Sequence, residues 1–128
     1  MRLLLDTQQF IWWSQQSARL SPHVKQTISD PETVVSLSVA SVWEIQIKSQ
    51  LGKLSLHRPL DELLIKQQAE NDLLLLPIDM PHILALQHLL PHHRDPFDRI
   101  IIAQAIVDGL TLASADSVFA AYPAHLLA

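Results

Sequence analysis

Four short apolar runs separated by helix-length segments constrain this chain more than any other feature. They are RLLLD at residues 2–6, TVVSL at 33–37, LLLLPI at 73–78 and LTLAS at 110–114. Each reads as a buried strand bounded by a cap or turn residue. Helical patterns fall between them, with an N-cap or proline at their starts. Helices are expected over 7–16, from Ser21-Pro22 to about 29, over 39–50, 60–70 and 79–89, and from Asp95-Pro96 through 108. Residues 97–108 are apolar nearly all round, which reads as a helix buried against a sheet, although Ile100, Ile101 and Ile102 make a strand the competing assignment. Asp116 opens a short helix toward Tyr122, and residues 124–127 form a candidate edge strand. Strands alternating with helices predict an α/β fold: an open parallel sheet of four to five strands with helices on both faces and right-handed crossovers.

At 128 residues the chain fits one domain over its whole length, with room for a substantial core. The absence of cysteine excludes disulfide scaffolds, cysteine zinc sites and thiol nucleophiles. No run reaches the length of a membrane span, and the apolar N-terminal stretch is too short for a signal peptide, so a soluble cytoplasmic protein is expected. Nine Lys plus Arg against thirteen Asp plus Glu give a net charge of −4. That argues against general basic nucleic-acid binding, but an acidic site neutralised by divalent cations remains compatible with it.

Ligands of open α/β sheets bind at the carboxyl ends of the strands. Four acids from distant segments are placed near that edge: Asp6 ends the first strand, Glu44 lies early in the helix after the second, Asp98 lies in the first turn of a later helix, and Asp116 follows the fourth strand. Crowded carboxylates raise one another's pKa unless a cation intervenes, and all-oxygen clusters suit Mg²⁺ or Mn²⁺. Such ions support phosphodiester hydrolysis without a protein nucleophile. Each acid also has a structural reading: Asp6 and Asp116 as caps, Asp98 at N3 of its helix, and Glu44 as the i, i+4 partner of Lys48. Spacing alone leaves both readings open. In the 39–50 helix, Val39, Val42, Trp43 and Ile47 read as the core face, and Trp12 and Trp13 as core or interface residues. The polar loop carrying His92, His93 and Arg94 reads as solvated, without the partners of a metal site.

These residues carry a family resemblance. LLLDT at 3–7, SVWEIQIKSQLGKL at 41–54, LPI at 76–78, DPFDRIIIAQA at 95–105 and SAD at 114–116 resemble the PIN-domain family, and within it the VapC-type toxins of bacterial toxin–antitoxin pairs. The resemblance implies a Mg²⁺- or Mn²⁺-dependent endoribonuclease whose catalytic and metal-holding residues are Asp6, Glu44, Asp98 and Asp116. It also implies a homodimer inhibited by a cognate antitoxin. Ser114, Arg99 and Lys48 are candidate substrate contacts. Two positions depart from the family pattern: Gln8 stands where histidine is frequent, and Ser114 stands where threonine is usual. The alternatives are a non-catalytic interaction module on the same fold and a phosphoacceptor receiver domain. The latter is disfavoured because the last lysine is Lys66, so none falls at the end of the last strand.

Overall fold

The computed structural model describes residues 1–128. Five parallel strands form one sheet: β1 (Arg2–Leu5), β2 (Val34–Ser38), β3 (Leu74–Leu76), β4 (Thr111–Ala113) and β5 (His125–Leu127). Their order is β3-β2-β1-β4-β5. The chain builds outward from β1 in one direction, then returns to the other side of β1 for β4. The sheet therefore has a topological switch point between β1 and β4, where a crevice opens at the carboxyl ends of the strands. Leu5 is in register with Ala113, and the Asp6 amide donates to the Ala113 carbonyl at 3.0 Å, which closes the two strand ends together.

The expected parallel α/β architecture is found, with β5 at the edge assigned from the sequence. Side chains of β1 alternate between two apolar layers, which is why the strand is apolar throughout. Leu3 and Leu5 join Phe10, Val24, Leu37 and Ile45 on one face; Leu4 joins Ile101, Ile102, Leu112 and Phe119 on the other. The helices are α1 (Thr7–Ser14), α2 (Pro22–Ser29), α3 (Val39–Gln50), α4 (Leu60–Asn71), α5 (Met80–Ala85) and α6 (Pro96–Asp108). Residues 97–108 are helical despite their three isoleucines, because Asp95 caps the first turn, Pro96 sits inside it, and Gly109 (φ 66°) ends it. The helix expected over 79–89 is instead α5 followed by a 3₁₀ turn at Leu86–His88.

The inner face of α3 differs from the expected one. Its buried residues are Ala40, Ser41, Glu44 and Ile45, whereas Val39 is exposed and Trp43 is 61% exposed. Ala40 packs in the layer of α6, and Ser41 meets Thr7 of α1. Small side chains let both helices approach α3 closely, which turns the bulkier Val39–Trp43 line outward. Trp43 keeps an edge contact with Phe97, with ring centroids 5.4 Å apart. Trp12 and Trp13 are half-buried against the first layer.

Candidate active site

Each strand end at the crevice is followed directly by a cap that aims a polar side chain. Asp6 ends β1 and caps α1, its Oδ1 accepting from the Gln9 amide at 2.7 Å. Ser38 ends β2 and caps α3, which carries Glu44 one and a half turns later. Asp116 follows β4 and caps the 3₁₀ turn Ser117–Ala121, its Oδ1 accepting from the Val118 amide at 3.0 Å. Asp98 projects from the first turn of α6, whose cap is Asp95. The structural roles weighed for Asp6 and Asp116 thus coexist with their place at the crevice, because a cap occupies one carboxylate oxygen.

Asp6, Glu44, Asp98 and Asp116 line one cavity of about 520 Å³, together with Thr7, Gln8, Trp12, Lys48, Lys53 and Asp95. Asp6 and Glu44 are buried within it. Glu44 is held from both sides: the Thr7 hydroxyl donates to Oε1 at 2.7 Å, and the Lys48 ammonium donates to Oε2 at 2.7 Å. Burial pushes the Asp6 carboxyl up to about 6, assisted by the neighbouring charges of Asp116 and Glu44 and opposed by hydrogen bonds from Ser114 and the Gln9 amide. Burial likewise pushes Asp98 up to about 7, with Asp95, Glu44 and Asp6 adding repulsion and His93 opposing it. The Lys48 ammonium is held above its usual range by its hydrogen bond to Glu44. Carboxyls displaced this far in a crevice mark a place where negative charge is concentrated and under-compensated.

The three candidate substrate contacts separate. Ser114 is buried beneath the acids, its hydroxyl accepting from the Asp116 amide at 3.0 Å, so it acts through the carboxylates it braces. Lys48 lines the cavity. Arg99 does not: its guanidinium donates to the carbonyls of Leu89, Leu90 and His93 at 3.0–3.2 Å, and so fastens the loop preceding α6.

That loop overturns a second expectation. His93 is not solvated; its Nε2 lies 3.0 Å from Asp98 Oδ2 and 3.2 Å from Asp116 Oδ2. No local signal marked it out, because the path of the loop ahead of α6 is what turns it toward Asp98 and Asp116. Asp95 and Thr7 also border the cavity without having been singled out.

In overall fold the chain is similar to three solved structures. Against VapBC2 from Rickettsia felis, bound to a promoter DNA fragment, the TM-score is 0.70 at 14% identity, covering 99% of this chain and 98% of that one. Against DNA-bound VapBC from Salmonella typhimurium it is 0.71 at 15% identity, covering 99% and 97%. Against FitAcB from Neisseria gonorrhoeae it is 0.66 at 20% identity, covering 98% and 96%. No curated protein matches the chain by sequence. The PIN domain family model matches residues 3–124. With the acidic crevice at its switch point and the family model spanning nearly its whole length, the chain belongs to the PIN domain family.

Proposed function

We propose that the protein is a metal-dependent endoribonuclease and the toxin of a toxin–antitoxin pair. The observation that carries this reading is the convergence of Asp6, Glu44, Asp98 and Asp116, from four separate segments, on one crevice. The donor set fits a hard divalent cation: it is built of carboxylate oxygens, two of the carboxylates are buried, and two of the carboxyls are displaced upward, chiefly by burial and further by their acidic neighbours. Asp6, Glu44, Asp98 and Asp116 would hold Mg²⁺ or Mn²⁺. When bound, such a cation supplies Lewis acidity to the phosphodiester and lowers the pKa of coordinated water.

The chain's own residues supply the rest. Thr7 and Lys48 fix the Glu44 carboxylate, so its orientation does not depend on a ligand. Ser114 ties the Asp116 backbone under the acids. Lys48 and Lys53 border an otherwise acidic cavity, which supports a role for them in meeting an entering phosphate. A recessed acidic crevice admits flexible single-stranded or loop RNA more readily than a duplex.

The partners follow the same reading. Three fold relatives are VapBC and FitAcB structures, which supports a small protein antitoxin as partner. Met80, Ile83 and Leu84 on α5 and Val107 on α6 are exposed apolar side chains, and the gain from covering them supports a homodimer. No helix is long and apolar enough to cross a membrane.

The test is cleavage of single-stranded RNA in Mg²⁺ or Mn²⁺, with and without EDTA. Cleavage that requires the cation and disappears in Asp6→Asn and Asp116→Asn is expected. Equal cleavage by wild type and Asp6→Asn would refute the reading. Cation binding without any cleavage would favour the interaction module.

A further inference from the structure

His93 is the one imidazole set among the acids, and which of its ring nitrogens carries the proton decides what it does there. Its Nε2 and one oxygen each of Asp98 and Asp116 lie within 4.8 Å of one another, close enough to surround an ion. A ligating imidazole must present a lone pair at Nε2 and carry its proton on Nδ1, where it normally donates to a carbonyl or carboxylate. Here Nδ1 faces the backbone N–H of Asp95 at 3.2 Å. A backbone N–H can only donate, so Nδ1 holds the lone pair and the ring proton sits on Nε2. That N–H hydrogen-bonds Asp116 Oδ2 at 3.2 Å, while Asp98 Oδ2 lies against the same nitrogen at 3.0 Å.

We infer that His93 is a displaceable competitor of the cation: its Nε2–H hydrogen-bonds Asp116 and lies against Asp98 in the metal-free protein, and has to swing away when a cation takes those oxygens. The inference rests on the assignment of the acids as the metal site. The N–H gives the two carboxylates partial positive charge in the gap that a cation would fill, and both cannot occupy it together. The surroundings suit a ring that moves on a fixed backbone. The His93 amide donates to the Tyr122 hydroxyl at 2.7 Å, which itself donates to the Leu90 carbonyl at 2.7 Å. Arg99 holds the His93 carbonyl. The ring has a tilted contact with Phe119, with centroids 5.4 Å apart, and is 15% exposed, so side-chain rotation alone releases it toward solvent. His93 is therefore a positioning residue that sets cation affinity, and not a ligand.

The experiment is titration of the metal-free protein with Mn²⁺, following free Mn²⁺ by electron paramagnetic resonance. His93→Ala removes the competitor, and His93→Phe removes it while keeping a ring against Phe119. Both are expected to bind Mn²⁺ more tightly than wild type, by about tenfold for the loss of one charge-assisted hydrogen bond. Weaker or unchanged binding in both variants overturns the inference. Asp6→Asn, which does not touch His93, reports separately on the site. Should wild type and Asp6→Asn both fail to bind, the metal-site reading fails and the competitor goes with it. Nitrogen-15 spectra of the wild-type imidazole give a readout independent of folding in the variants. An Nε2-protonated ring both before and after Mg²⁺ addition, with its shift altered by the loss of the carboxylates, is expected. A proton found on Nδ1 in either state overturns the inference.

Discussion

Raising the pH of the metal-free protein is expected to destabilise it, the reverse of what paired carboxylates do. Asp6 titrates at about 6 in the fold against 3.8 ordinarily, chiefly because it is buried. Between those values the native state holds a proton that the unfolded chain has released. Stability therefore falls as pH rises through that window, and is flat once both states are ionised. At about 1.36 kcal/mol per pH unit the shift corresponds to roughly 3 kcal/mol for Asp6. Asp98 acts in the same direction up to about pH 7; it is closer to solvent, so water screens part of its contribution. For a domain of this size roughly 3 kcal/mol moves the melting temperature by about 10 °C. Thermal melts by circular dichroism in EDTA, from pH 4.5 to 8, measure it. Other groups titrate in the same range, so the decisive quantity is the difference between wild type and Asp6→Asn. Asparagine can still accept from the Gln9 amide but carries no charge. The variant should melt slightly above wild type at pH 4.5, where roughly a third of the effect is already lost, and further above it at pH 8. At pH 8 a cation at 100 times its dissociation constant should return about 2.7 kcal/mol to wild type. A wild-type melting curve that rises with pH relative to Asp6→Asn would refute the reasoning that the buried acids strain the fold.

Three further outcomes follow from packing. Ile101→Ala, fully buried between α6 and the sheet, should cost about 2–5 kcal/mol in urea unfolding. Trp43→Ser should cost less than about 1 kcal/mol in the same assay, because the indole is mostly in water and loses mainly its edge contact with Phe97. Arg99→Ala should speed amide hydrogen exchange in the loop at 89–93 while leaving the β1 amides protected, since its guanidinium ties three carbonyls of that loop and none of the sheet.

The sequence determined what depends on neighbours along the chain. Apolar runs, caps and proline placement located all five strands and the starts of the helices, because these signals act within a few residues. The Asp95-Pro96 start settled residues 97–108 as a helix against the β preference of three isoleucines. Local signals failed where a second element decided the outcome. Apolar spacing put Trp43 in the core, but periodicity defines stripes without saying which one faces inward, and the close approach of α1 and α6 chose the stripe with Ala40 and Ser41. Residue type alone could not bring His93 to Asp98 and Asp116; the path of the loop, fastened by Arg99 and Tyr122, did that. The nearness of Asp6 and Asp116, 110 positions apart, is a property of strand order: β4 pairs with β1 and not with β3, so both acids leave the sheet at its switch point.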